Sequence, residues 1–227
     1  CDRQGLIGRD LFAIDGVKLP NNASKEKSGT RADYQRHCEK MEKKIQKILE
    51  RHKATDKTNR DEEVEEKEAM KLERLRREMN QLKEWLVTHP EDKKGPKGTV
   101  RQSNITDNES AKMATGKGVV QGYTGVAVVD EKHQIIVDSQ AHGTGSEQEL
   151  LKPAVEAAKP YMSEQTLICA DAGYYSEEGL SYLEFGEIEA YIPDPDYRKR
   201  DERYAGQELH LAKPSPFYDK KRHSEKK

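Results

Sequence analysis

Leu11-Phe12-Ala13-Ile14-Asp15-Gly16 is an apolar run that ends in a carboxylate followed by a glycine. Thr166-Leu167-Ile168-Cys169-Ala170-Asp171-Ala172-Gly173 has the same construction later in the chain. Both apolar runs have the length of a buried strand, and each predicts a strand that delivers one acidic side chain to its C-terminal end. Two such strands side by side hold two carboxylates within reach of one divalent cation. Asp15 and Asp171 are therefore the candidate site, and the rest of the sequence is read outward from them.

Only 33% of the residues are hydrophobic while 36% are charged, so part of the chain must be solvated helix or mobile segment rather than core. The formal net charge of −2 neither supports nor excludes a nucleic-acid partner. Cys1, Cys38 and Cys169 are far apart and odd in number, which fits a reducing compartment and points to neither a disulfide framework nor a CxxC zinc site. No apolar run approaches the roughly 18 residues of a membrane span, so the chain is expected to be soluble and cytoplasmic, with no membrane partner. It begins at Cys1 without an initiator methionine and is expected to be a portion of a longer protein.

Residues 1–30 carry the first strand and a polar loop, and the pattern changes near Arg31. Tyr34, Cys38, Met41, Ile45, Ile48 and His52 recur at steps of three and four, and Leu72, Leu75, Met79, Leu82 and Leu86 repeat that spacing after a polar turn over Thr55–Arg60. Two complementary seams predict an antiparallel helical hairpin over 31–90, with charges mixed at i,i+4 spacing, which is the signature of a solvated arm or spacer. Residues 91–118 are expected to be a linker. In 119–197 a β-hairpin (Gly122–Asp130, Gln134–Asp138) precedes Gly143-Thr144-Gly145, which is a turn signal more than a phosphate cradle. Ser146-Glu147-Gln148-Glu149 predicts a capping box for a helix through about Lys159. The Asp171 strand, a helix capped by Ser176 and a last strand ending at Pro193 follow. Residues 198–227 are expected to be a basic, poorly ordered tail.

With the helical hairpin set aside, the order is βββαβαβ, that of an α/β ribonuclease-H-like mixed sheet, in which the first and fourth strands are parallel neighbours. Asp15 and Asp171 would then meet at the strand ends, where open α/β sheets carry their active sites. Phosphodiester cleavage by a two-metal site uses carboxylates to hold ions about 3.5–4 Å apart. Carboxylate and water suit Mg²⁺ or Mn²⁺. Asp130 and Asp138 close hairpin strands and are read as structural.

The segments Gly8–Pro20, Asn22-Ala23-Ser24-Lys25-Glu26, Gln102–Met113 and Gln121–Asp130 resemble the first catalytic block of bacterial insertion-sequence transposases of the DDE type, within the insertion-sequence-four-like superfamily. Ala170-Asp171-Ala172-Gly173-Tyr174-Tyr175-Ser176, with Ala190-Tyr191-Ile192-Pro193-Asp194, resembles the second. The resemblance covers nearly all but the last thirty or so residues. It implies that Asp15 and Asp171 are the first two acids of an Asp-Asp-Glu triad, with metal-dependent cleavage and strand transfer of insertion-sequence ends and target DNA. It further implies a homo-oligomer in the complete protein, bacterial and nucleoid-associated when bound to DNA. The third acid of such a triad is a glutamate on a helix beyond the last strand, and none of Glu202, Glu208 and Glu225 lies in a helical pattern, so two acids are assigned.

Lys18, Lys25, Arg198, Lys199 and Arg200 lie near the expected active edge and are candidates for phosphate contact. Two other functions compete with strand transfer. One is a phosphohydrolase with Asp15 as nucleophile, which calls for a second Asp at position 17, where the chain has valine. The other is a catalytically dead transposase remnant that binds DNA or protein through the helical hairpin.

Overall fold

The computed structural model describes residues 1–54, 62–96, 98–116 and 118–204. The turn expected over Thr55–Arg60, the basic end over Lys220–Lys227, and Glu208 and Glu225 lie outside these residues.

β1 (Leu11–Pro20) alternates as its sequence demands: Phe12 and Ile14 are buried, while Ala13, Asp15 and Val17 are exposed. The strand does not stop at Asp15-Gly16 but runs five residues further than the apolar run suggested. Val17, Lys18 and Leu19 continue the pairing that begins at Phe12↔Asp130 and ends at Pro20↔Gly122. Glycine at 122 is what lets that end close, because a Cβ there would collide with the Leu19 carbonyl.

β2 (Ser28–Gly29) leads into α1 (Arg31–Ala54) and α2 (Glu62–Thr88), and β3 (Ser103–Asn104) returns to pair antiparallel with β2. Helices α1 and α2 bury the expected seam, with Tyr34, Cys38, Met41, Ile45 and Ile48 against Leu72, Leu75 and Leu82. Trp85, absent from the expected seam, is buried beside them, edge-on to Tyr34 and stacked on His89. His52 is partly exposed and bonds Glu68 at 2.5 Å. At the base of the pair, the Arg31 amide donates to Asp92 (2.8 Å) and its guanidinium to the Leu86 and His89 carbonyls. The Tyr34 hydroxyl donates to the Lys27 and Ser103 carbonyls. The two ends of the helical insert are thereby clamped together.

Residues 91–118 are not a structureless linker. Besides β3 they form β4 (Ala111–Thr115), and they are built around buried polar groups. Asn104, fully buried, donates to the Ser24 carbonyl and Ser28 Oγ and accepts from the Thr106 and Asp107 amides. Asp107 accepts from Asn21 and Tyr123, and Gln121 donates to Ser110. Hydrophobic periodicity is blind to such a segment because hydrogen bonds, not apolar alternation, hold it.

β5 (Gly118–Asp130) is long enough to carry β1 along one edge and, in succession along the other, β4 and β6 (Ile136–His142). After β6 come α3 (Leu151–Ala158), β7 (Leu167–Ala170), α4 (Glu177–Phe185), β8 (Ala190–Tyr191) and α5 (Tyr197–Arg200), so that the expected tail begins inside a short helix. The result is a mixed α/β fold with the sheet order β4-β5-β1-β7-β8, in which β1, β7 and β8 are parallel and β5 is antiparallel to β1. Phe12, Ile14, Val126, Val128 and Ile168 of the sheet form one core with Leu151, Ala154 and Val155 of α3 and with Tyr174 and Leu183. Among the described residues no helix is long and apolar enough to cross a membrane.

The alternation of β1 gives a direct test. Phe12→Ala removes a fully buried ring and should cost about 3–5 kcal/mol in urea-unfolding free energy, whereas Val17→Ala, on a 58% exposed residue of the same strand, should stay within about 0.5 kcal/mol. Equal losses for the two would contradict the burial of this face.

Candidate active site

The parallel pairing of β1 with β7 runs from Leu11↔Leu167 to Ile14↔Ala170, and the next residue on each strand is Asp15 and Asp171. Neighbouring strands lie about 4.8 Å apart. The two carboxylates therefore leave the sheet next to one another, on exposed residues. What ends at this level is β7 rather than β1, since the chain turns at Asp171 into a 3-10 turn, Ala172–Tyr174. Asp171 Oδ1 accepts the Gly173 amide at 2.8 Å and caps that turn, and Asp15 Oδ1 accepts the Gly16 amide at 2.7 Å. Each residue spends one oxygen on local backbone. Among the described residues no hydrogen bond reaches the other oxygen of either.

A third acid stands beside them. The Ser146–Glu149 segment does not form a capping box: Glu147–Glu149 is a 3-10 turn with no side-chain cap from Ser146, and the α-helix starts at Leu151. The glutamates are drawn elsewhere. Glu149 pairs with Arg101, and Glu147 Oε1 accepts from Lys18 Nζ at 2.8 Å, while the Ser146 amide donates to Thr144 Oγ1. Lys18 Nζ also donates to Thr124 Oγ1 and to the Gly145 carbonyl, both at 3.1 Å. The carboxylate of Glu147 reaches the turn after Asp171: a Cβ on Gly173 would sit 2.5 Å from Glu147 Oε2 and 2.9 Å from Asp171 Oδ1. Glycine at 173 is what lets the Glu147 carboxylate come this close.

Tyr174 completes the surroundings. Its ring is part of the core and the residue is fully buried, yet its hydroxyl has no hydrogen-bond partner. The hydroxyl lies 2.8 Å from where a Cβ on Gly16 would be, and Glu147 Oε1 lies 3.5 Å from the same point. Burial pushes the phenol pKa up, and the negative charges of Glu147, Asp15 and Asp171 push it further in the same direction. The hydroxyl therefore stays protonated and is a spare donor facing acidic groups. Neither Glu147 nor Tyr174 was singled out from sequence. The usable signal was that the connection from the third main strand of the sheet to the next helix passes the edge that carries Asp15, so acids in the turn that leads into that helix face the site.

The other candidates are scattered. Lys18 is bonded to three acceptors at the site, and Lys25 Nζ donates to the Val119 carbonyl at 3.3 Å. In α5, Lys199 pairs with Asp196 at 2.6 Å and Arg200 pairs with Asp194, while Arg198 sits in the same helical turn. Glu202 lies in an exposed 3-10 turn, not an α-helix. Asp130 is fully buried and accepts from the Gly8, Arg9 and Lys132 amides, a structural role. Gly143 packs so closely on the Glu109 carbonyl that no Cβ would fit, which accounts for this glycine by backbone packing.

Asp15 and Asp171 supply hard oxygen donors suited to Mg²⁺ or Mn²⁺, and magnesium sites commonly use one or two carboxylates, with water and substrate phosphate completing the shell. Among the described residues no group of three or more His, Cys, Asp or Glu is arranged to hold a metal ion. Compared with protein-family models, with curated proteins and with solved structures, the chain matches none.

The orphan hydroxyl yields a prediction. A buried, unpartnered hydroxyl costs of the order of 1–3 kcal/mol, so Tyr174→Phe should raise stability by about 1 kcal/mol when measured by denaturant melts in EDTA. A clear loss of stability would mean that the hydroxyl has a partner in solution.

Proposed function

We propose that this chain is the catalytic domain of a DDE-type insertion-sequence transposase, cutting DNA strands and joining them to a target with the help of Mg²⁺ or Mn²⁺. The observation that carries the reading is the parallel β1–β7 pairing, whose last pair, Ile14↔Ala170, is followed by Asp15 on one strand and Asp171 on the other. A ribonuclease-H-like fold is supported by the path β6-β5-β1-β7-β8 through the sheet, with one antiparallel step at β5–β1 and parallel steps beyond it. The sequence blocks that resemble the family surround both carboxylates.

On this reading Asp15 and Asp171 would hold the cation, which when bound supplies charge stabilisation for the phosphoryl oxygens and an activated oxygen nucleophile. The chain's own contribution is geometric. β1 and β7 fix the separation of the carboxylates, the Gly16 and Gly173 amides fix their orientation, and the missing side chains at Gly16 and Gly173 make room for the Tyr174 hydroxyl and the Glu147 carboxylate beside them. DNA containing the element ends and the target is the substrate, and the complete protein would act as an oligomer. Phosphate contacts from Lys25 and from Arg198, Lys199 and Arg200 belong to the same proposal.

Asp15→Ala and Asp171→Ala should each abolish Mn²⁺-dependent nicking of element-end DNA by the complete protein, with a drop of at least about a thousandfold, while DNA retention in a gel-shift assay persists. Nicking that survives in either variant would sink the assignment. Wild-type protein that retains DNA but never nicks it would instead favour a catalytically dead remnant.

A further inference from the structure

We propose that Glu147 is a third carboxylate of the divalent-cation site and that the Lys18 ammonium is the counter-ion a cation displaces. The inference rests on the metal-dependent reading above and extends it to a residue on a different element.

Three observations converge on Glu147. First, its carboxylate bridges the two acidic strand exits, with Oε1 beside Gly16, the residue after Asp15, and Oε2 beside Gly173, two residues after Asp171. Second, the Tyr174 hydroxyl is fully buried, aimed into this cluster and without a partner, which marks a position where a donor waits for an acceptor the protein does not supply. A cation-bound water or a phosphate oxygen is such an acceptor. Third, the positive charge now opposite Glu147 is an ammonium held on a strand by Thr124 Oγ1 and the Gly145 carbonyl, both oxygen acceptors. The Lys18–Glu147 pair is partly buried, with side chains 20% and 24% exposed. It therefore neutralises one carboxylate of the cluster where water screens it poorly. While it is made, Glu147 Oε1 is turned to Lys18, and the three acids are not gathered as a ligand set. The long, rotatable lysine stem can leave while its strand stays fixed.

The measurement is Mn²⁺ binding followed by EPR on the protein alone, without DNA. Wild type should bind Mn²⁺, Asp15→Asn should lose binding, and Glu147→Gln should weaken it by at least about tenfold. Lys18→Met, which removes the competing ammonium, should tighten it. Melting in EDTA establishes that each variant is folded, and the Lys18→Met result carries the test if Glu147→Gln does not fold. Mn²⁺ binding unchanged in Glu147→Gln but lost in Asp15→Asn overturns the role of Glu147 and leaves the two-aspartate site standing. Affinity unchanged in Lys18→Met overturns the displacement. No Mn²⁺ binding by wild type at millimolar concentration overturns the metal reading itself, and this inference with it.

Discussion

Everything distinctive in this molecule hangs on four parallel pairs between β1 and β7. β1 is the sheet's central strand, and its two edges do different work. One edge binds β5 along nine register pairs and gives the strand its rigidity, while the other binds β7 only as far as Ile14. The mismatch in length creates the candidate site: β1 carries on along β5, β7 turns away, and past Ile14 and Ala170 no strand pairing joins the two. Phe12, Ile14 and Ile168, buried just below, hold the two backbones against the core formed with α3. The acids stand where strand pairing ends, on backbone held against the core, rather than on a long loop.

Charge balance around that edge follows from the same geometry. Asp15, Asp171 and Glu147 all bear on the Tyr174 phenol, and one lysine, on the strand that carries Asp15, answers Glu147. Burial first, and then the negative charges of Glu147, Asp15 and Asp171, push the Tyr174 phenol pKa up. In α5, by contrast, Lys199 and Arg200 are each answered by a nearby aspartate, Asp196 and Asp194.

Much of the architecture was legible because it is written in apolar periodicity. The two strand-plus-carboxylate runs and the seams of the helical hairpin come from patterns of large hydrophobic residues, the adjacency of β1 and β7 is expected from the order of strands and helices, and Tyr34 through Ile48 face the partner helix as their spacing requires. What stayed hidden is held by polar contacts. The Asn104, Asp107 and Gln121 network looks like a linker because no alternation marks it. Glu147 looked like a helix cap because Ser146-Glu147-Gln148-Glu149 satisfies the local rule. Only the arrival of Lys18 and Arg101 from remote parts of the chain, at separations of 129 and 48 residues, diverts both glutamates from it. Trp85 was missed for a simpler reason: it extends the seam at a position adjacent to the Leu86 that the spacing selected.

The clamp at the base of the helical insert bears on how the chain assembles. β1 precedes its partners, Asp130 and its neighbours and, further along, Leu167–Ala170, so its pairings span long stretches of chain. Closing loops of that length slows folding, because the entropy is lost before the contacts are gained. The helical hairpin buries a seam of its own between α1 and α2 and can form first. Once Arg31 has bonded Asp92 and the His89 carbonyl, some sixty residues of chain behave as a short connection between β1 and the strands that follow. The insert thus acts as a folding staple, shortening the effective distance over which the central strand must search for its neighbours.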